Sequence, residues 1–226
     1  MSRGSNVDDM KKSIEEHAER FSEKADEYDD DESPEYRACA DLVVEHAAPR
    51  DGDVVLDLGT GTGAIALALA DDAGRVIGRD ISEGMLEQAE EKAAERGIDD
   101  VDFGEGRFRD PNVPGDAAVD VVTTNFALHH LSDDEKREAI AAVAALDPRR
   151  FVVGDVMLFG EPDPDAPFYS PEVDDPASVG VLADALTDAG FALTAVEMID
   201  QQVGVLAAER GAAATAAADG DADRGE

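Results

Sequence analysis

The stretch Val54-Val55-Leu56-Asp57-Leu58-Gly59-Thr60-Gly61-Thr62-Gly63, followed by an apolar run over 64–70, constrains this chain more than any other. Residues 54–57 have the composition of a short strand buried on both faces, and 64–70 that of a helix. Between them the glycines allow a sharp reversal and a close approach of backbone to a ligand, because no Cβ intervenes. A strand that feeds a helix through so short a loop belongs to a crossover unit. Repeated units of this kind give a mostly parallel sheet with ligands beyond the carboxyl ends of the strands.

The pattern does repeat. Residues 75–80 predict a second strand, Ser82 caps a helix to Arg96, and Gly97 stands where a left-handed terminating residue is expected. Further strands are predicted at 101–104, 118–125 and 151–159. Ser132 and Glu135 form a capping box for the helix that Pro148 ends, and Asp175-Pro176 opens another that Gly190 closes. The last strands, 191–199 and 203–209, are joined too tightly to be parallel and predict an antiparallel hairpin.

Upstream, Val7, Met10, Ile14, Ala18, Phe21, Ala25 and Tyr28 recur at helical spacing, so residues 7–28 predict an amphipathic helix that lies over something. Ser33-Pro34 opens a second helix, which runs to Ala48 before Pro49. Residues 211–226 carry no apolar pattern and read as a disordered acidic tail. The expected organisation is one α/β domain over 1–210, with 1–33 as a helical lid or extension.

Charge narrows the function. With 19 Lys and Arg against 54 Asp and Glu, the formal net charge is −35. Such a surface repels a phosphate backbone or an anionic membrane, so neither nucleic acid nor membrane is expected as a partner. No apolar run reaches the ~18 to 20 residues of a membrane span and the N-terminus is not signal-like, so a cytoplasmic protein is expected. The basic residues are mostly Arg and the acids are spread along the chain, which resembles the proteins of salt-in halophiles. A halophilic archaeal source is the corresponding expectation. In molar salt the Debye length falls to roughly 3 Å and screens the self-repulsion. Cys39 is the single cysteine, and His17, His46, His129 and His130 show no metal-ligand spacing, so no metal is expected.

Residues 55–63 resemble the first motif of the class I S-adenosylmethionine-dependent methyltransferases. The likeness extends over about 34–210. It includes the acidic Asp80 ending the second strand, Val119-Asp120-Val121-Val122 leading into Asn125-Phe126-Ala127-Leu128-His129-His130-Leu131, and the closing hairpin. The resemblance implies a three-layer Rossmann-like sandwich of seven strands in the order 3-2-1-4-5-7-6, the last antiparallel. It also implies S-adenosylmethionine as cofactor and methyl transfer to an acceptor.

The residues agree with that chemistry. The methionine part of the cofactor is cationic, which suits Asp57 at the entry to the loop formed by Gly59, Thr60, Gly61 and Gly63 and would not suit a pyrophosphate. Asp80 is placed to accept hydrogen bonds from two ribose hydroxyls, with Ile81 and Met85 flanking the adenine. Where the family often has an acid that reads the adenine amino group, this chain has Gly106-Arg107. Arginine cannot accept that bond, so Glu105, backbone groups over 106–108, or the Phe108 ring must substitute. Asn125 resembles the position facing the methionine moiety.

A catalytic base is not specified. Methyl transfer is an in-line displacement for which positioning can suffice. His129, near the expected rim, and Tyr28, in a lid-like segment, are the candidates. The acceptor is expected to be a small molecule, because neither an Asn-Pro-Pro-aromatic sequence nor a cysteine nucleophile follows the fourth strand. A homodimer is left open. Two other readings stand beside this one. One is a non-catalytic cofactor-binding or scaffold protein. The other is an NAD-dependent oxidoreductase, since Gly61-Thr62-Gly63-Ala64-Ile65-Ala66 satisfies G-x-G-x-x-A. The second lacks the Tyr and Lys four apart of the short-chain dehydrogenases.

Overall fold

The computed structural model describes residues 14–25, 33–161, 167–171 and 173–211. In chain order its elements are α1 (Ile14–Lys24), α2 (Pro34–Ala47), β1 (Val54–Leu58), α3 (Ala64–Leu69), β2 (Arg75–Asp80), α4 (Glu83–Arg96) and β3 (Val101–Glu105). There follow β4 (Val121–Asn125), α5 (Asp133–Ala145), β5 (Arg150–Val156), α6 (Val179–Asp188), β6 (Phe191–Met198) and β7 (Val203–Arg210). The sheet runs β3-β2-β1-β4-β5-β7-β6, the order expected. β1 to β5 pair in parallel, and β7 lies antiparallel between β5 and β6.

Alternation along the strands explains the three layers. Val55, Val76, Val121 and Val152 face one core, with Cys39 and Val43 of α2 and Ile65 and Leu69 of α3. Their neighbours Leu56, Ile77, Val122 and Val153 face the other, with Ile140 of α5 and Leu186 of α6. Burial on both faces is why these strands read as unbroken apolar runs. Each fully buried Val, Leu or Ile contributes about 1.5 to 3 kcal/mol.

The helix ends carry the chemistry read from sequence. Ser33 Oγ accepts from Tyr36 N with Pro34 next to it, Ser82 Oγ accepts from Met85 N, and Gly97 closes α4 at φ +66°. Both halves of the Ser132 and Glu135 capping box are formed. Each cap adds about 1 kcal/mol.

Three boundaries differ by three residues or more, each because tertiary bonds claim the backbone. β5 stops at Val156, not Phe159. Beyond it Leu158 N–H donates to Ala177 O and Leu158 O accepts from Val179 N–H. The same bridge holds Ser178 extended, so α6 begins after Ser178, which caps it, not at Asp175-Pro176. β4 begins at Val121 because Asp120 is used at the end of β1, its carboxylate accepting from Val54 N and its own N–H donating to Val54 O.

Of the predicted N-terminal helix, Val7, Met10 and Tyr28 lie outside the described residues, as does all of the tail beyond Gly211. The described turns of α1 rest on α4. Ser22 Oγ lies 2.9 Å from Ser82 Oγ and accepts from Gly84 N. Gly84 permits this approach, since a Cβ there would lie 2.9 Å from Ser22 Cα. Among the described residues no helix is long and apolar enough to cross a membrane.

Candidate functional site

A cavity of about 640 Å³ opens at the carboxyl ends of the first four strands, and His17 and Phe21 of α1 form part of its wall. Its floor is the loop after β1. Gly59, Gly61 and Gly63 have φ of +67°, +53° and +84°, the left-handed region that only glycine enters cheaply. Gly59 has a second constraint, because a Cβ there would meet the Ala127 Cβ at 2.5 Å. At Gly61, which lines the cavity, a Cβ would meet nothing within 4 Å. Gly59 N–H and Thr60 N–H both donate to Arg79 O, which ties the loop to the end of β2.

Asp80 completes the tie. Its Oδ2 accepts from Gly61 N and its Oδ1 from Ser82 N, each at 2.9 Å. The carboxylate thus holds the glycine loop and the start of α4 at once, yet still lines the cavity. The carboxylate keeps acceptor capacity for a further donor. Burial raises its pKa against the pull of those backbone donors.

Asp57 lies elsewhere than expected. It is buried beneath the loop, not among the cavity's lining residues, and both oxygens accept hydroxyl groups at 2.7 Å, from Thr60 Oγ1 and Thr123 Oγ1. Burial pushes its carboxyl up to about 6, opposed by the two threonines and reinforced by the Asp80 charge. Its contribution is therefore a negative charge under the loop and a fixed Thr60, which does line the cavity. Gly63 is also absent from the lining and turns the chain into α3.

On one side of the cavity stand Ile81, Met85, Gly106, Arg107 and Phe108, together with Glu105. The segment after β3 is pinned by buried Arg79, whose guanidinium donates to Asn112 O, Asp102 O and the Asp102 carboxylate. Gly106 N–H is spent on Asp80 O and Arg107 N–H on Asp110 O. Each of the substitutes proposed for the adenine contact lies on this side of the cavity: the Glu105 side chain, the Phe108 ring and backbone carbonyls over 106–108.

The other side is built by the β4 exit. Asn125 is buried and lines the cavity, and neither atom of its amide has a hydrogen-bond partner. Phe126 has φ +53°, an unusual conformation for a bulky residue that tends to mark functional sites. Its ring contacts Tyr36 at 5.1 Å and Phe168 at 6.0 Å.

The two histidines exchange roles relative to expectation. His129 is not in the cavity wall but behind it, because Asp155 at the end of β5 accepts both its backbone N–H at 3.0 Å and its Nδ1 at 2.5 Å. His130 lines the cavity, with Nδ1 2.8 Å from Asp174 Oδ1 and its ring beside those of His17 and Phe21. Burial, then the neighbouring His129, lowers the His130 pKa to about 4, against the pull of Asp174. Its neutral ring is a hydrogen-bond acceptor at neutral pH. The expectation of no metal set rested on spacing along the chain, and the fold alters its basis by bringing ligand atoms of His129, His130 and Asp174 within 4.8 Å of one another. Tyr28, the other catalytic candidate, lies outside the described residues.

His17, Phe21, Phe126, Asp155 and Asp174 are the residues that sequence reasoning missed. For the first two a signal existed, since positions 17 and 21 share a helical face four residues apart.

Residues 55–147 match the methyltransferase domain family. An uncharacterised methyltransferase of Geobacillus sp. is 34% identical over 148 residues, which cover 62% of this chain and 65% of that protein. The chain thus spans just under two thirds of that relative's length. An uncharacterised methyltransferase of Staphylococcus carnosus is 32% identical over 65% of this chain and 70% of its own length. Among solved structures, magnesium protoporphyrin IX methyltransferase from Synechocystis, with S-adenosylmethionine bound, superposes with a TM-score of 0.59 at 22% identity, over 93% of this chain and 86% of that one. These relatives are bacterial and lend no support to an archaeal source.

Proposed function

The chain belongs to the S-adenosylmethionine-dependent methyltransferases, and from that premise we propose that the cavity binds S-adenosylmethionine on its Asp80 side and a small-molecule methyl acceptor beneath α1. The observation that carries the proposal is the division of one cavity into two unlike halves. One half is bare glycine backbone, the Asp80 carboxylate and apolar walls. The other is a set of aromatic rings around the imidazoles of His17 and His130.

The residues fit the cofactor. Gly61 offers backbone that a side chain would cover, the acceptor capacity left on Asp80 suits the two ribose hydroxyls, and Ile81, Met85 and Phe108 suit an adenine. The Asn125 amide, buried with no bonded atom, is placed to pay its desolvation by meeting the amino acid end. The negative charge of Asp57 beneath Thr60 favours a cation above the loop. When bound, the cofactor supplies an electrophilic methyl group on a sulfonium.

At the other end Tyr36, Phe126, His17 and Phe21 present rings to an acceptor and exclude water from it. His130, with Nδ1 engaged by Asp174, would orient the acceptor through its other nitrogen. The acidic surface, together with the ring-lined cavity, favours a small neutral or cationic acceptor over nucleic acid. The same charge suits a protein that works in a salt-rich cytoplasm. Homodimerisation stays compatible with the reading.

Calorimetry in ~2 to 3 M KCl, where the charges are screened, tests it with S-adenosylmethionine, S-adenosylhomocysteine and NADH as separate titrants. Micromolar binding of both adenosyl ligands and none of NADH is expected. Binding of NADH, or of nothing by a protein shown folded by circular dichroism, would overturn the proposal.

A further inference from the structure

His129 and His130, adjacent in sequence after β4, are brought together with Asp174, 44 residues beyond His130, and of the three His130 lines the acceptor half of the cavity. We propose that they form a binding site for one divalent transition-metal ion, of the class of Zn²⁺, with an open coordination position facing the cavity.

The donor set is two imidazoles and one carboxylate, with one ligand atom from each within 4.8 Å of the others. A metal bound by nitrogen and oxygen at about 2.0 to 2.2 Å needs its ligand atoms about 3 to 3.5 Å apart, so closure takes shifts of about an ångström. Imidazole favours zinc and its neighbours, whereas Mg²⁺ and Ca²⁺ prefer sites made of oxygen alone.

The surroundings hold the ligands ready. Asp155 takes three donors, the His129 N–H, the Val156 N–H and His129 Nδ1. A carboxylate only accepts, so His129 Nδ1 carries a proton, and Nε2 is the ring atom on offer to a metal. That Nε2 faces Asp174 Oδ1 at 4.0 Å. The same Asp174 Oδ1 meets His130 Nδ1 at 2.8 Å, so the three ligand atoms converge on one place, where a bound cation would take over from the proton of that bond. A carboxylate that fixes the outer nitrogen of a ligand histidine is the usual support of such a site. Asp174 is braced in the same way, its Oδ2 accepting from Ser170 N at 2.8 Å. Its neighbour Asp175 is fastened to the histidine turn by an N–H bond to His129 O at 2.7 Å and by the buried Lys136 ammonium, which donates to both Asp175 O and Leu131 O.

Entry is from the cavity, which the half-buried His130 lines while His129 lies buried behind it. Three protein ligands and one position open to a cavity is the arrangement of catalytic zinc, which in structural sites has four. The fourth ligand would be an acceptor hydroxyl or thiol, which the metal would hold and acidify. That role rests on the function proposed above, but metal binding itself does not.

The test is titration of the EDTA-stripped full chain with Zn²⁺ in the absence of cofactor, in the same high salt, together with Co²⁺ absorption spectra and a parallel titration with Mg²⁺. One Zn²⁺ per chain is expected, at least a hundredfold tighter than Mg²⁺, with an intense visible Co²⁺ band of four-coordinate type. His130→Ala and Asp174→Asn should each weaken Zn²⁺ at least a hundredfold, and Asp155→Asn about tenfold to a hundredfold. Circular dichroism must show each variant folded. If a variant does not fold, the Co²⁺ band of the unmodified protein still decides the matter. Only weak binding at many sites, unchanged in the folded variants, or a six-coordinate Co²⁺ spectrum would overturn the proposal. Zinc binding without S-adenosylmethionine binding would leave the metal site standing and reject the methyltransferase cavity. The reverse result would reject the metal alone.

Discussion

Replacing Asp57 by asparagine should flatten the dependence of stability on pH between about 5 and 7. In the native protein this carboxyl sits near 6, against 3.8 for the ordinary group, chiefly because it is buried. A carboxyl raised on folding stabilises fully below its unfolded value, and that contribution is lost as pH rises through the folded value. A shift of this size corresponds to about 3 kcal/mol lost on complete ionisation. Of that, about 1.3 kcal/mol is lost between about pH 5 and about pH 7, because at pH 5 the unfolded chain is already largely ionised while the folded one is not. For a chain of this length the difference is about 3 to 5 °C in melting temperature. Asparagine keeps the shape, and the hydroxyls of Thr60 and Thr123 can rotate to meet it. Any lost hydrogen bond would lower the variant's stability equally at both pH values, so slope and offset separate. The assay is thermal or urea unfolding of both proteins at fixed molar KCl. Parallel profiles, agreeing within about 0.3 kcal/mol after removal of the offset, would refute the assignment. Asp80, whose pKa is also raised, remains in both proteins. Since an ionised Asp57 favours a cation on the loop, S-adenosylmethionine should bind tighter as pH rises through this window in the native chain and not in the variant.

Asp80→Ala should weaken S-adenosylmethionine at least tenfold in calorimetry, because it removes both the ribose acceptor and the tie to Gly61; unchanged affinity would reject the ribose role. Gly59→Ala forces a Cβ to within 2.5 Å of Ala127 Cβ at a φ of +67°, and urea unfolding should show a loss of at least about 2 kcal/mol. Lys136→Met withdraws the ammonium from the carbonyls of Leu131 and Asp175; about 3 kcal/mol of stability should be lost, with zinc affinity falling as the brace on Asp174 loosens. Melting temperature should rise steadily as KCl is raised from about 0.1 M to 3 M, and a flat or falling curve would reject the link between the charge of −35 and salt.

The elements were legible where a single local signal decides them. Ser82, Gly97 and the Ser132 and Glu135 box terminate helices through bonds to their own neighbours, so sequence alone marks the ends. Where a distant strand competes for the same backbone, as Leu158 does for 177–179, local reading places the helix too early. The site divides in the same way. Asp80 acts through backbone within about a turn of two adjacent loops, and its position after β2 identified it. Asp57 carries the motif but faces inward, because Thr123, brought beside it by the β1 and β4 register, completes its bonding away from the cavity.

The histidine cluster shows what could have been found by one further step. The order of strands was available, and it makes β4 and β5 parallel neighbours. Their register sets Asn125 opposite Gly154, so the residue after Gly154 must lie beside the turn that follows Asn125. That residue is Asp155, and the turn contains His129, so a carboxylate and histidine pair follows from topology and register without any motif. Asp174 could not be reached by the same argument. It enters from the long connection after β5, where no ladder fixes position, and it is held by Ser170 and His130, and its neighbour Asp175 by His129 and Lys136, through bonds that exist only once the turn is formed. A site assembled half from register and half from such a loop should lose its metal before its fold. Asp174→Asn is therefore expected to abolish tight zinc binding while the sheet keeps its melting temperature within about 4 °C, which corresponds to about 1 to 2 kcal/mol. A collapse of the fold in that variant would mean that Asp174 also holds the protein together, and the Co²⁺ band of the unmodified protein would then decide the metal.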